Sequence, residues 1–245
     1  MRTSTSPQSG AAADYFLGGT TSEHGLTLTK IGGVPTLPNA SPGSWWRAAA
    51  KRVFDLGFAT TALAALAPLL IGLAIAIRWS GPGPVLFRQW RIGRNGVPFQ
   101  ILKFRTMHHG LTDESGLHQT QANDPRVTRL GAFMRQKSLD ELPQLFNVLR
   151  GEMSVVGPRP HAIGMLAAGM PYETLVPYYH MRAVVLPGIT GWAQANGLRG
   201  PTTDARAARA RVDHDIAYIQ NQSPLLDLKI IALTIRREFL TGSGL

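Results

Sequence analysis

Asp140 and Glu141 stand side by side in SLDELPQ, residues 138–144. Adjacent residues on a regular helix point about 100° apart, so a carboxylate pair of this kind has two readings. In the first, Ser138 and Glu141 form a capping box, S-x-x-E, and Asp140 complements the helix dipole. In the second, the two carboxylates serve one reaction, one as nucleophile and the other as its partner. Pro143 bears on both. It removes a donor from the first turns and disfavours helical geometry at Leu142. That irregularity can turn Asp140 and Glu141 towards a common point, and capping and catalysis are not exclusive.

Cations gather around this pair. Lys103 and Arg105 alternate in KFRTM, which sets them on one face of a strand. Arg126, Arg129, Arg135 and Lys137 lie just upstream of the acidic residues. In VGPRP, Arg159 sits between two prolines and after Gly157, a preset turn that can hold one guanidinium fork for a phosphate. Each piece alone has a plain explanation: a solvated strand face, a tight surface turn. Together they suit phosphoryl transfer, where cations offset charge while a carboxylate attacks phosphorus. His161, His180 and His214 lack metal-ligand spacing and read as structural or hydrogen-bonding groups.

The whole chain agrees with an anionic partner. Its 245 residues carry 25 Lys+Arg against 15 Asp+Glu, a formal charge of +10. Nucleic acid, a phospholipid surface or a phosphorylated substrate would satisfy it. The absence of cysteine excludes disulfides, thiol catalysis and cysteine-ligated metals. Residues 1–45 are rich in Ser, Thr, Gly, Ala and Pro and are expected to be a mostly disordered tail. Small and polar residues occupy the place of a signal-peptide apolar region.

The elements that must position these groups begin with an apolar run from Val53 to Ile77, whose only charge is Asp55. It is long enough to span a bilayer as a helix. Pro68 interrupts it, with Gly72 four residues on. Arg47, Lys51 and Arg52 precede it, while Arg78, Arg88, Arg91 and Arg94 follow it. Basic residues normally mark the cytoplasmic end, and here they mark both. The expectation is a re-entrant helix-break-helix, ahead of a single spanning helix or a buried core helix. Beyond it, residues 84–107 read as a β-hairpin with an Asn-Gly turn. Residues 108–125 read as a loop, and a helix starts near Thr128. LPQLFNVLRG is a helix closed by Gly151, MSVVGPRP a short strand and turn, and YYHMRAVVLPGITGWAQANG a strand followed by loops. Two further helices open at Asp204 and Ser223. The expected fold is an α+β globule attached to a membrane element.

KRVFD, FRQWRIGRNGVPFQILKFRTM, DPRVTRLGAFMRQKSLDELPQLFNVLRGEMSVVGPRP and PGITGWAQANG, in that order, resemble the bacterial sugar transferase family. Its monotopic members load a sugar phosphate onto polyprenyl phosphate. The resemblance covers residues 46–245. It implies a re-entrant membrane helix at 46–80 and a cytoplasmic catalytic domain at 81–245, following the tail at 1–45 that composition suggests. The location implied is the cytoplasmic face of the cell inner membrane. The reaction implied is transfer of a sugar 1-phosphate from a UDP-sugar (UDP-galactose or UDP-glucose) to undecaprenyl phosphate, with Mg²⁺ and a covalent intermediate. It makes Asp140 the nucleophile and Glu141 the metal-associated partner. Lys103, Arg105, Arg135, Arg159 and Arg88 become cations for substrate or phosphate, and Arg52 and Asp55 mark where the chain enters the membrane. The partners implied are these substrates and the bilayer, with no nucleic acid; a homo-oligomer is left open. Two departures stand out. Ala67-Pro68 replaces the Ser-Pro of many relatives at the helix break, and Leu186 replaces a basic residue, a contact that Arg182 could supply. Two other function classes remain: a non-enzymatic membrane-bound anion binder, and a sugar-nucleotide hydrolase with an aspartyl intermediate.

Overall fold

The computed structural model describes residues 19–38, 44–111, 124–200 and 202–237. Strands β1 (Gly19–Glu23), β2 (Leu26–Ile31) and β3 (Val34–Pro35) form a small antiparallel sheet. Helix α1 (Ser44–Trp79) follows, then the hairpin of β4 (Leu86–Ile92) and β5 (Pro98–Phe104). Helix α2 (Arg129–Gln136), a 3₁₀ turn at Leu139–Glu141 and α3 (Gln144–Arg150) lead to β6 (Ser154–Val156). The small hairpin of β7 (Leu166–Ala167) and β8 (Met170–Pro171) precedes the single turn α4 (Tyr172–Leu175). A 3₁₀ segment at Tyr179–Val184, β9 (Gly188–Thr190) and α5 (Trp192–Ala195) come next. Helices α6 (Ala205–Gln220) and α7 (Pro224–Ile235) complete the described fold. The architecture is α+β, with strands in pairs and small sheets between helices.

The sequence rules behind these elements are local. Asn95 and Gly96 both take positive φ, 56° and 78°, as the turn between β4 and β5 requires. Thr128 caps α2 through its hydroxyl, which accepts from Gly131 N at 2.9 Å. Asp204 and Ser223 do the same for α6 and α7, with Pro224 at the first turn. Gly151 ends α3 at φ 81°, a left-handed cap.

Three apolar clusters hold the globule together. One joins Ile101, Val148, Met153, Trp192, Tyr218 and Ile230 between the hairpin, α3, α5, α6 and α7. A second joins Leu28, Tyr172, Val176, Val212 and Ile216. The third joins Leu73 and Ile77 of α1 to Phe104, Met134 and Leu139.

Helix α1 takes up the whole apolar run. It is 36 residues long with Pro68 inside, and among the described residues it is the one helix long and apolar enough to cross a membrane. Both of its ends rest on the same globule. At the first end, Lys51 Nζ reaches Asp55 at 2.7 Å, Ser154 Oγ at 2.6 Å and Asp227 at 3.2 Å. Asp55 also accepts from Val155 N at 3.1 Å. Arg52 donates to the Val148 and Leu149 carbonyls at the end of α3. At the other end, Ile77 is buried in the third cluster. Between them Leu69, Ile71 and Ile75 are exposed, an apolar surface that no described protein segment covers.

Two expectations need correction. Residues 1–45 do not all form a loose tail: β2 buries Leu28 completely, Lys30 pairs with Asp213 at 3.0 Å, and the Gln220 amide bonds both backbone groups of Thr29. The alternation in LTLTKI supplies one apolar face, which α6 covers; composition alone hid it. Residues 1–18 and 39–43 lie outside the described residues, as do 112–123 of the expected loop. The stretch from Tyr179 is 3₁₀ rather than strand. Tyr179 and Arg182, one such turn apart, both face inward, and the strand shrinks to Gly188–Thr190.

Candidate active site

Ser138 begins the site in an unexpected way. It adopts left-handed φ 51° and ψ 22°, and its side chain makes no cap hydrogen bond. A non-glycine residue rarely takes this conformation. Here it swings the chain from α2 into the 3₁₀ turn, where Glu141 N bonds Ser138 O at 3.2 Å. Pro143 then starts α3, whose first residue is Gln144. The capping box is therefore absent: Glu141 turns its carboxylate to cations instead of to the Ser138 backbone.

Those cations arrive from two directions. Lys103, on β5, donates to Glu141 Oε1 at 2.8 Å. Arg159, from the turn after β6, donates to Glu141 Oε2 at 3.0 Å and to Oε1 at 2.5 Å, a two-pronged pair. Burial alone would push the Glu141 pKa up, but Arg159 and Lys103 outweigh it and hold the carboxyl well below its ordinary range. Asp140 is 7% exposed and sits in a different balance. Burial raises its pKa, Lys103 opposes that, and the neighbouring Glu141 charge adds to it. Two adjacent carboxyls are thus pushed apart: one is held ionised and the other is disfavoured as a charge. Arg135 stands close enough to stabilise the Asp140 charge, its Nε donating to Thr106 Oγ1 at 2.8 Å. This approach depends on Gly131, where a Cβ would lie 2.0 Å from the Thr106 carbonyl oxygen.

The turn that carries Arg159 is braced by close backbone packing. Strands β6 and β9 pair in parallel, and a Cβ on Gly188 would meet Gly157 N at 2.1 Å. Gly188 of PGITG and Gly157 of VGPRP are therefore two halves of one contact. Below it, Arg182 Nη2 donates to the Arg159 carbonyl at 2.6 Å, and the same guanidinium pairs with Asp215 at 2.6 Å and 2.9 Å.

The sequence-based site residues divide accordingly. Asp140, Glu141, Lys103, Arg135 and Arg159 come together. Arg105 serves another purpose: its guanidinium binds the carbonyls of Ile77, Gly81 and Pro82 at 2.6–2.9 Å, closing the end of α1. Arg182 is committed to Asp215 and the Arg159 backbone, so it holds the turn rather than replacing a basic residue at Leu186. Arg88 is exposed and pairs across the hairpin with Leu102, on the face opposite Lys103. Arg52 and Asp55 anchor α1, and Pro68 is exposed within it.

Three further arginines, none of them among the expected site residues, stand at the site. Arg91 and Arg199 have pKa values lowered to about 10, first by burial and then by repulsion from Arg159, with Glu141 attracting both. Arg211, on α6, is lowered by burial and feels Arg159 and Arg182. Arg91 was legible: it shares the strand face of Lys103 in the hairpin register. Arg199 and Arg211 reach the site only through tertiary packing.

Among the described residues no three His, Cys, Asp or Glu side chains form a metal cluster. The donor set near Arg159 is Asp140 and Glu141. Such a set fits Mg²⁺, which prefers oxygen, keeps waters and takes one or two carboxylates together with substrate phosphates.

The sequence is similar to several known proteins. The chain is 52% identical over 194 residues to the exopolysaccharide production protein PSS of Rhizobium leguminosarum bv. phaseoli, covering 79% of this chain and 97% of that protein. It is 45% identical over 218 residues to the UDP-glucose:undecaprenyl-phosphate glucose-1-phosphate transferase of Escherichia coli K12, covering 89% of this chain and 46% of that one. It is 41% identical over 194 residues to the UDP-N-acetylgalactosamine-undecaprenyl-phosphate N-acetylgalactosaminephosphotransferase of Aeromonas hydrophila, covering 79% and 44%. The chain thus spans under half the length of the latter two. Residues 46–241 match the family described as bacterial sugar transferase, and the chain belongs to that family.

Proposed function

We propose that this enzyme transfers a sugar 1-phosphate from a UDP-sugar to undecaprenyl phosphate and releases UMP, the opening step of a surface polysaccharide. The observation that carries the chemistry is the division between the carboxyls: a buried Asp140 beside a Glu141 clamped by Lys103 and Arg159. A carboxylate whose charge is disfavoured gains by forming a bond. An Asp140 oxygen attacks the sugar-bound phosphorus, the bond from that phosphorus to the bridging oxygen breaks, and UMP leaves with the electron pair. An oxygen of undecaprenyl phosphate then attacks the same phosphorus and returns the Asp140 carboxylate. Lys103, Arg135 and Arg159 surround the phosphoryl group and limit the charge it develops. Mg²⁺, held by Glu141, would supply further neutralisation of the diphosphate.

The two relatives with named donors use UDP-glucose and UDP-N-acetylgalactosamine. The donor proposed here is UDP-glucose or UDP-galactose. The membrane reading is supported by α1: both ends rest on one globule, which suits a helix whose exposed apolar middle bends into one leaflet at Pro68 and returns. The globule's side is the cytoplasmic face of the inner membrane, where nucleotide sugars are made and lipid phosphate is within reach.

Intact-protein mass after mixing with UDP-sugar and no lipid is the test. A sugar-phosphate adduct on the wild type, absent from Asp140→Asn, is expected. An Asp140→Asn enzyme that still releases UMP would sink the covalent route. Free sugar phosphate in place of a lipid-linked product, with undecaprenyl phosphate present, would make the protein a hydrolase.

A further inference from the structure

The proposed transfer also builds charge on the leaving nucleotide phosphate. Glu141 absorbs both Lys103 and Arg159, and Arg135 lies beside Asp140. Departure of UMP places an additional negative charge on the nucleotide phosphate, away from the attacked phosphorus. Cations already engaged by carboxylates are poorly placed to receive it.

A second cluster stands next to Arg159. Arg211 is 8% exposed and His161 is 2% exposed. Arg211 Nη2 donates to the Gly200 carbonyl at 3.2 Å, while its Nε has no hydrogen-bond partner. The nearby carboxylate, Asp215, is bound by Arg182. His161 stacks on Tyr172 with ring centroids 4.6 Å apart, and its Nδ1 meets the Tyr179 hydroxyl at 3.0 Å. Its Nε2 has no partner, and it carries the imidazole proton when the Tyr179 hydroxyl donates to Nδ1. Burial first, and then Arg182, Arg211, Arg91 and Arg159, keep this imidazole neutral. Two buried donors, one of them on a guanidinium that shares the Asp215 carboxylate with Arg182, therefore lack acceptors beside the turn that holds Arg159. Buried polar groups are ordinarily satisfied, and donors without acceptors on a cation call for an anion.

We propose that Arg211 and His161 form a second anion subsite that receives the phosphate of the departing nucleoside monophosphate. This inference rests on the UDP-sugar reading above. The subsite lies beside Gly200, whose carbonyl accepts from Arg211. Its role is confined to the first half-reaction. Attack by lipid phosphate on the adduct occurs after UMP has left and does not use it.

The experiment uses the full chain in lipid nanodiscs, with UMP as the probe. Arg211→Gln is expected to weaken product inhibition by UMP roughly tenfold to a hundredfold, the range of a lost charged hydrogen bond. Adduct formation should slow, while discharge of preformed adduct onto undecaprenyl phosphate keeps the wild-type rate. Unchanged UMP inhibition, or equal slowing of both half-reactions, would overturn the subsite and assign Arg211 a purely structural role. If Arg211→Gln does not fold, His161→Phe keeps the ring stacked on Tyr172 and removes the Nε2 donor. Weaker UMP inhibition supports the proposal, and wild-type inhibition in that variant overturns it. Failure of the wild type to release UMP would instead strike the underlying reading.

Discussion

Adjacent carboxyls with opposite electrostatic balances respond differently to the same kind of substitution. Asp140→Asn removes a charge that burial disfavours, so the melting temperature should hold or rise while adduct formation falls on the order of a thousandfold or more. Glu141→Gln removes the partner of Lys103 and Arg159 and should cost about 1–3 kcal/mol of stability as well as activity. Thermal unfolding alongside adduct mass separates the two. Equal small losses of stability with turnover intact would return the pair to helix capping. The pH dependence follows the same logic. On the proposed route attack needs ionised Asp140, so the acid limb of adduct formation should lie above the usual aspartate value. Glu141, with its pKa depressed on folding, contributes stability above the unfolded carboxyl value; that contribution is lost as pH falls through its folded pKa. Arg159→Lys keeps charge but cannot make the two-pronged contact, and should lower turnover roughly a hundredfold.

Elements, rather than single side chains, explain Arg105 and His161. Arg105 closes the end of α1 through three carbonyls. Arg105→Gln should therefore lower the melting temperature by the equivalent of about 1–3 kcal/mol, with a wild-type KM for the sugar nucleotide. A rise in KM without loss of stability would restore it to substrate binding. His161 is buried neutral in the segment after β6, its pKa well below 6.5. The unfolded chain takes up a proton as pH falls below that value, and the folded chain does not. Stability is thus full above it and declines on acidification towards the lower folded pKa. His161→Phe should flatten that part of the stability profile in thermal melts across pH.

At the scale of the whole molecule, the one-sidedness of α1 is the claim with the largest consequence. The chain has no cysteine, so cysteines placed at Arg47 and Arg94 can be labelled singly in sealed inner-membrane vesicles. Equal accessibility from the cytoplasmic side is expected, and opposite accessibility would make α1 a spanning helix. Pro68→Leu restores a backbone donor in mid-helix and should shift part of the population to a spanning form. The same whole-molecule view explains the first sheet: β2 covers α6, so Leu28→Asp should destabilise the face that carries Arg211 and Asp215.

Much of this protein was legible before any coordinates. Caps at Thr128, Asp204 and Ser223, the Asn95-Gly96 turn and the end of α3 at Gly151 follow from side-chain chemistry within a few residues. So does the crowding of Lys103, Arg135 and Arg159 around Asp140 and Glu141, because short motifs carry them in fixed order. The roles of Arg105, Arg182 and Arg211 were decided elsewhere. A guanidinium binds a phosphate, a carboxylate or a carbonyl equally well, and which one it meets depends on residues far away in the chain: Ile77, Asp215 and Gly200. Likewise Ser138 reads as a cap until its left-handed backbone turns Glu141 towards cations on two other elements. Local sequence specifies what a side chain is able to bind; only the packing of distant elements decides which partner is within reach.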